Sequence, residues 1–291
     1  MRKTITALFV LPVFLSANVP DHLMMSLTRP TTVDSLGACQ GVSYQKGRVF
    51  LYGDREIGVI REYTLVGDSL VDLHKESRLT VEGKDVINHP TGVAQHAGKP
   101  TFIGNSVKPD VPGGKWKAII YWVNWEGLLK TRTLDGNLMS IIEDDVCIQG
   151  TRPEYVQYNN KWYVATADYG NNGNEVRLYD PRALSKASKT SDKGVLYKKF
   201  SCTPWVQNLH WIAEKGILVL IQNQVEGRKW RFTYVDLEKS IASGKQEVIK
   251  EVLNDRADEL EGFAFTNSPG SGIAVNSSRT QNVNFMQVKW K

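Results

Sequence analysis

The stretch Gln40-Gly41-Val42-Ser43-Tyr44 decides the fold, because variants of it recur along the chain. Each copy opens on a polar residue followed by small or apolar residues, and the leading residues lie 51 to 63 positions apart. The other copies are Thr91-Gly92-Val93-Ala94-Gln95, Glu154-Tyr155-Val156-Gln157-Tyr158, Gln207-Asn208-Leu209-His210-Trp211 and Glu261-Gly262-Phe263-Ala264-Phe265. A period of about 50 residues is typical of β-sheet repeats that are arranged as blades around an axis.

A turn and a second apolar run follow each copy, as in Trp162–Ala165 and Ile217–Leu220, and a third strand comes next. Runs that are apolar on both faces predict strands sandwiched between neighbouring sheets. The fifth repeat ends after three strands, and the segment 24–33 can supply the missing outer strand and close the ring. We therefore predict an all-β fold, a five-bladed β-propeller with four-stranded antiparallel blades. A β-sandwich and a six-bladed ring are the alternatives.

The N-terminus has the pattern of a secretory signal. Arg2 and Lys3 precede an apolar run from Thr4 to Ala17, which is shorter than the roughly 20 residues of a membrane-spanning helix. We expect residues 1–17 to be a signal peptide and residues 18–291 to form a single propeller domain. The mature chain is then secreted or periplasmic, with no stable membrane insertion after signal removal.

The charge of the chain bears on its binding partners, and its cysteine content bears on disulfide bonding. The formal net charge is +5, but basic residues form no long block, which argues against a nucleic-acid partner. Three cysteines in an exported protein allow one disulfide. Cys147 and Cys202 precede consecutive repeats and are the more probable pair, with Cys39 left over.

Strand direction gathers polar residues from all five repeats at one rim. The first two strands of a blade form an antiparallel hairpin, so the start of one lies beside the end of the other. Because first strands are innermost in a propeller, this rim surrounds the mouth of the central channel. The predicted inner ring is Gln40, Thr91, Glu154, Gln207 and Glu261. The predicted second ring, at the ends of the second strands, is Asp54, Asn105, Asp168, Asn223 and Asn276.

Acidic side chains that converge in a confined mouth either share a proton or hold a cation. Carboxylate and amide oxygens together favour Ca²⁺ over zinc. We expect a Ca²⁺ site with Glu154, Glu261, Asn105 and Asn223 as its ligands. The alternative for each Asp or Asn at a strand end is an Asx turn that satisfies the backbone of the next loop.

Side chains around the two rings complete the candidate site for a small-molecule or sugar-like ligand. The predicted ligand-binding residues are Gln40, Arg152, Gln207, Trp205 and His89. Arg152 either binds an anionic group of a ligand or pairs with Glu154. The predicted catalytic residues are Asp168, Asp54 and His210, of which either aspartate is a candidate general base. His210 lies inside a strand, where a buried core histidine is the alternative.

The blades, with a polar-Gly start and a third strand ending near Asp-Leu or Asp-Pro, resemble SMP-30/gluconolactonase-like secreted propellers. That resemblance implies a central divalent cation held by Glu154 or Glu261 with Asn105, Asn223 and Asp168. That family has six blades, whereas five are counted here.

The first blade, with Gln40–Tyr44 followed by Gly58–Leu65, is also similar to that of five-bladed glutaminyl cyclotransferases. This second resemblance implies that a glutamate at a strand start, Glu154 or Glu261, is the catalytic acid.

Three functions are therefore compatible with the sequence. The first is a metal-dependent hydrolase of the lactonase or esterase type, in which the cation polarises a carbonyl and activates water. The second is a non-catalytic protein that binds a carbohydrate or peptide. The third is acid-catalysed acyl transfer without a metal. The sequence contains no G-x-S-x-G nucleophile motif.

Overall fold

The computed structural model describes residues 23–290 except 110, 112, 113, 148, 226, 228 and 267–269. The predicted signal peptide, residues 1–17, lies outside the described residues. Five four-stranded sheets form the body of the molecule, and every strand pair within them is antiparallel. The first strands of neighbouring blades contact one another around the axis. The five-bladed propeller predicted from the repeat is therefore confirmed.

The strands follow the repeats in order, and each blade begins within one residue of the predicted position. Blade 1 contains Cys39–Gln45, Arg48–Gly53, Val59–Val66 and Ser69–Arg78. Blade 2 contains Pro90–Ala94, Thr101–Val107, Lys117–Val123 and Leu138–Glu143. Blade 3 contains Glu154–Tyr158, Lys161–Ala167, Glu175–Tyr179 and Leu196–Ser201. Blade 4 contains Val206–Ile212, Ile217–Val225, Lys229–Asp236 and Val248–Asn254. Blade 5 contains Leu260–Phe265, Ser271–Asn276 and Val283–Trp290, with Leu23–Thr31 outside them.

The N-terminal strand closes the ring as predicted. Leu23–Thr31 pairs antiparallel with Val283–Trp290, from Leu23 opposite Trp290 to Thr31 opposite Val283. Leu23 is buried in the apolar cluster between blades 4 and 5. The first described strand therefore joins the last blade, which ties the two ends of the described chain together.

Short helices connect third and fourth strands. They are Trp125–Thr131, Pro181–Leu184 and Leu237–Ser243; a 3₁₀ turn, Ala213–Lys215, and a two-residue hairpin, Thr80–Val81 with Lys84–Asp85, lie elsewhere. In blade 2 the third strand ends at Val123, and the helix begins two residues later, at Trp125. Asn124 ends that strand because its side chain accepts a hydrogen bond from Gly127 N at 3.2 Å and caps the helix.

Large apolar clusters fill the spaces between adjacent blades. Val42 packs with Ile273 of blade 5, and Tyr155 packs with Phe102 of blade 2. Among the described residues no helix is long and apolar enough to cross a membrane.

All three cysteines are free thiols, so the structure does not contain the predicted pair of Cys147 and Cys202. Burial raises the pKa of Cys202 to about 12, and it raises the pKa of Cys147 well above its ordinary value. Such thiols are protonated at neutral pH and poorly reactive.

Candidate functional site

Four of the five predicted inner-ring residues lie at β-bulges. In blade 1, Cys39 pairs with Gly53 and Gly41 pairs with Tyr52, so Gln40 is the extra residue. The same shift leaves one unpaired residue in three further first strands, namely Thr91, Gln207 and Glu261. A bulge bends the strand and re-aims the side chain of the extra residue. The ring at the mouth is therefore made by a repeated irregularity of the backbone.

Glu154 departs from this pattern. It pairs with Ala165 in a ladder without a register shift. Its neighbour Tyr155 packs against blade 2, as Val42 packs against blade 5 in the first repeat. Glu154 therefore takes the place that Gly41 has in blade 1, one residue deeper in the channel than the predicted ring.

The channel is filled at the depth of Glu154. A Cβ atom on Gly262 would come within 2.9 Å of Gly41 Cα, so the first strands of blades 5 and 1 meet closely there. Asn208 Nδ2 of blade 4 donates to the Thr91 carbonyl oxygen of blade 2 at 3.3 Å. Burial raises the pKa of Glu154 to about 8. The mouth is thus a funnel with a packed base, and the surroundings there favour the neutral form of Glu154.

Glu259, which the sequence analysis missed, is a centre of hydrogen bonding at the mouth. Its Oε1 accepts from Asn223 Nδ2 at 2.9 Å, from Gln207 Nε2 at 3.0 Å and from Tyr169 Oη at 3.3 Å. These donors come from blades 3 and 4, whereas Glu259 immediately precedes the first strand of blade 5. The Glu259 carboxylate therefore links blades 3, 4 and 5 beside the ring.

Arg152 brings a buried cation to the same place. Its side chain donates from Nη2 to Gln207 Oε1 at 3.0 Å, from Nε to Gln207 O at 3.2 Å and from Nη1 to Gln149 O at 3.0 Å. The guanidinium also lies 5.2 Å from the centre of the Tyr169 ring. Burial lowers the pKa of Arg152, and the neighbouring Glu261 carboxyl opposes that effect when it is ionised. A guanidinium remains charged under these conditions.

Glu261 is the most strongly perturbed acid at the mouth. The residue is 4% exposed. Burial raises its pKa well above the ordinary value, the charges of Glu259 and Asp54 raise it further, and Arg152 lowers it. Its environment therefore favours the neutral carboxyl form, while charged groups surround it.

Asp54 and His89 form a pair on the open side of the mouth. His89 Nδ1 lies 3.1 Å from Asp54 Oδ2, and Gln40 Nε2 donates to the same oxygen at 3.2 Å. The pair lines a cavity of about 290 Å³ together with Asp85 and Trp116. Because the aspartate holds Nδ1, Nε2 is the ring nitrogen left to accept a proton. This arrangement fits a general base with an orienting carboxylate.

Aromatic rings from blades 3 and 4 form another part of the rim. Trp205 has a φ of 65°, a left-handed conformation that is unusual for an aromatic residue. Its ring meets that of Tyr169 edge to face with centroids 5.3 Å apart. Hydrogen bonds from Trp205 N to Gly170 O at 2.9 Å and from Asn223 N to Trp205 O at 3.3 Å hold the backbone in place. Strained residues fixed in this way cluster at ligand sites.

Two predicted catalytic residues have other environments. Asp168 is fully buried, and its Oδ2 lies 2.9 Å from Arg177 Nη2 in an ion pair, so it is engaged within blade 3. His210 lies near the turn end of its hairpin and lines a cavity on the opposite face, with Nε2 accepting from Phe265 N at 3.4 Å. Burial lowers the pKa of His210 to about 4. The structure therefore separates His210 from the mouth.

The asparagine side chains of the second ring differ in whether their oxygen atoms accept hydrogen bonds from nearby backbone N–H groups. Asn276 Oδ1 accepts from Ser278 N at 2.9 Å, the Asx-turn geometry given as the alternative. Asn105 Oδ1 accepts from His89 N at 3.0 Å and so fixes the chain next to the Asp54–His89 pair. Asn223 Oδ1 is buried and has no hydrogen-bond partner among the described residues.

The two glutamates among the predicted calcium ligands do not belong to a cluster of metal-ligating side chains. Within the described part of the chain, no three His, Cys, Asp or Glu side chains are arranged to hold a metal ion. Glu154 lies below the ring, Asn105 Oδ1 is occupied by His89 N, and a cation, Arg152, acts on Glu261. Of the predicted set, Asn223 Oδ1 is a buried oxygen without a hydrogen-bond partner among the described residues. The calcium site stays a prediction.

No protein-family model and no curated protein matches the chain, but solved structures do. Glutaminyl cyclase from Myxococcus xanthus aligns over 91% of this chain and 95% of its own, at 13% identity and a TM-score of 0.50. A glucose dehydrogenase aligns over 92% and 100%, at 11% identity and a TM-score of 0.50. The soluble aldose sugar dehydrogenase of Escherichia coli aligns over 93% and 100%, at 9% identity and a TM-score of 0.46. The two matches at a TM-score of 0.50 confirm the predicted resemblance at the level of the propeller fold alone.

Proposed function

We propose that this chain is an exported propeller whose mouth binds a small polar molecule and catalyses acyl transfer at its amide or ester carbonyl. The observation that carries the proposal is Glu261, a buried acid with a raised pKa set among fixed charges at the mouth. Paired titratable groups in contrasting environments are typical of acid–base sites. The likeness to a glutaminyl cyclase, at a TM-score of 0.50, supports a glutaminyl group as the first substrate to test.

Glu261 is proposed as the general acid. A carboxyl group that keeps its proton at neutral pH can donate a hydrogen bond to a carbonyl oxygen and then protonate the leaving group. The buried cation of Arg152 favours the negative charge that develops on that oxygen. Gln207 fixes the guanidinium with two hydrogen bonds, so Arg152 needs no rearrangement during the reaction.

His89 is proposed as the general base. The His89 side chain is 35% exposed. It borders the cavity next to the inner ring of polar residues, where a nucleophile has access. Asp54, the residue that holds Nδ1, also contributes to the raised pKa of Glu261, so acid and base share this carboxylate as a neighbour. His89 Nε2 takes the proton of the attacking amine or hydroxyl.

The proposed reaction conserves its atoms without any further reactant. The nucleophile forms a bond to the carbonyl carbon, and its proton passes to His89. The bond to the leaving amine or alcohol then breaks, and the leaving group takes the proton of Glu261. For a glutaminyl substrate the nucleophile is the α-amine and the leaving group is ammonia. Proton transfer from His89 back to Glu261 through solvent restores the site.

Turnover assays on the intact protein test this proposal. Ammonia release is measured from a glutaminyl dipeptide, and acid formation with water as the nucleophile is measured from a panel of esters and lactones. We expect turnover of at least one substrate by the parent protein and a loss of about 100-fold or more in Glu261→Gln. Glu214→Gln, an exposed change on the opposite face, is the matched control and should keep full activity. Equal rates in Glu261→Gln and the parent protein would refute the assignment.

Calcium binding is the second candidate, and one observation favours it. Asn223 Oδ1 is a buried acceptor without a hydrogen-bond partner among the described residues, and Asn223 Nδ2 is bound to Glu259. An amide oxygen next to a carboxylate is a donor set that Ca²⁺ accepts. The guanidinium of Arg152 acts against it, because a second cation near Glu261 is repelled.

A further inference from the structure

We infer that the face opposite the mouth carries a second binding site, a groove that takes a saccharide. The groove has a volume of about 750 Å³. Its walls include Gln45 and Lys46 in the first turn of blade 1, and the segment Gln95–Pro100 in the first turn of blade 2. These turns lie at the ends of the strands that point away from the mouth. The inference is independent of the proposed acyl transfer.

The walls of the groove are fixed by contacts with neighbouring blades. Tyr155 Oη of blade 3 donates to Pro100 O at 2.8 Å. The His96 ring lies over the Trp162 ring with centroids 4.0 Å apart. On the other side, Trp125 meets Phe50 of blade 1 edge to face at 5.3 Å. A groove held in this way needs little ordering when a ligand binds, and pre-formed sites bind better for that reason.

The chemistry of the lining matches a hydroxylated ring. Trp122 is half-buried and offers aromatic surface to the groove. Lys46 and Lys99 supply donors, and Glu126 supplies an acceptor. A sugar ring has an apolar C–H face that packs on an aromatic side chain, and its hydroxyl groups both donate and accept hydrogen bonds. An apolar ligand would leave these polar groups unpaired.

One buried atom points to a ligand that donates a hydrogen bond. Gln95 lines the groove, and its Oε1 is buried without a hydrogen-bond partner among the residues that the structure describes. An unpaired buried acceptor is costly, and a ligand hydroxyl that donates to it removes that cost. A carboxylate or phosphate group has no proton to give at neutral pH, so this atom favours a polyol.

Titration calorimetry with defined oligosaccharides tests the groove. The probes are cellotriose, maltotriose, laminaritriose, chitotriose and, as the acidic arm, digalacturonate. We expect at least one probe to bind with a Kd below about 10 mM. Gln95→Leu, which keeps the shape and removes the acceptor, should weaken that probe about tenfold. Trp122→Ala should weaken it at least as much, and Trp122→Phe less.

Mouth and groove are told apart by a variant at the other site. Glu261→Gln should leave the Kd of the bound probe unchanged. An equal loss of probe affinity in Glu261→Gln and Gln95→Leu would place the binding site at the mouth and overturn the inference. Absence of binding by all five probes would also overturn it. Trp122 packs against the apolar cluster between blades 2 and 3, so its replacement can lower the Tm. Binding by the Trp122 variants is therefore measured at a temperature well below the Tm of each variant. Gln95→Leu gives the decisive comparison if Trp122→Ala does not fold.

Discussion

Blade 3 differs from the other four blades at the start of its first strand. Blades 1, 2, 4 and 5 each have a bulge there, and the extra residue reaches the mouth. Blade 3 pairs regularly from Glu154 onwards, which leaves that glutamate in the packed base of the funnel. Burial raises the pKa of both glutamates, but Glu261, at a bulge, also has charged neighbours. Two glutamates that the sequence repeat aligns thus lie at different depths in the structure, and the bulge makes the difference.

The largest expected effect separates these two glutamates by activity. Glu261→Gln should lower kcat about 10²- to 10⁴-fold, because the general acid is lost. Glu154→Gln should change kcat less than about tenfold, because its protonated carboxyl and an amide have similar shape and both can donate a hydrogen bond. Single-turnover rates on the same substrate measure both. Equal losses would mean that both acids serve the reaction and that the bulge makes no chemical difference.

A second prediction concerns stability, and here Glu154 is the informative residue. Its pKa is about 8 in the folded protein and about 4.5 ordinarily. Between these values the unfolded chain releases a proton that the folded chain keeps, so the free energy of unfolding falls as pH rises from about 4.5 to about 8. Glu154→Gln should remove this dependence on pH. The loss of unfolding free energy between pH 5 and pH 8 should then be smaller than in the parent protein by on the order of 1–3 kcal/mol. Urea titrations at the two pH values measure it, and an unchanged slope would contradict the burial argument.

A third prediction addresses the charged neighbours of Glu261. Glu259→Gln removes a negative charge that raises the pKa of Glu261. The basic limb of the pH–rate profile, where Glu261 loses its proton, should therefore shift to lower pH. Glu175→Gln, in the blade 3 ion pair with Arg177, is the matched control and should leave the limb in place. A shift in both variants would indicate a general effect of net charge.

The smallest expected effect is that of calcium. Millimolar CaCl₂ should change the Tm by less than about 1 °C, because the described residues give a cation few uncommitted oxygens and Arg152 repels it. A rise in Tm that Asn223→Ala abolishes would instead support the calcium candidate.

The fold was accessible from the sequence because its signal is repeated. Apolar runs, turns and polar strand starts recur five times, and each repeat supports the same division into blades. The strand register at the inner ring was harder to predict. The spacing of the repeats does not show which residue of a first strand is left out of the pairing with the second strand. A glycine follows Gln40, Thr91 and Glu261, whereas Tyr155 follows Glu154. Glycine in a strand often marks a bulge, so this contrast was the available signal.

The site residues that were missed depend on contacts between blades. Glu259 lies two positions before Glu261, outside the repeated pentapeptide, and its donors come from distant parts of the chain. The ion pair that occupies Asp168 involves Arg177 on the next strand, which sequence spacing does not reveal. The position of His210 was predictable. It lies four residues into its strand from Val206, about 13 Å from the start at 3.3 Å per residue.

The protonation state of Glu261 is the most direct test of the account. Carboxyl carbons of ¹³C-labelled glutamate are followed by NMR from pH 4 to pH 9 in the parent protein, with Glu261→Gln and Glu154→Gln used to assign the two buried acids. The account predicts that the Glu261 signal stays in its protonated position through pH 7 and titrates only above it. A Glu261 signal that titrates near pH 4.5 would contradict the account, because the mouth would then contain no acid able to donate a proton at neutral pH.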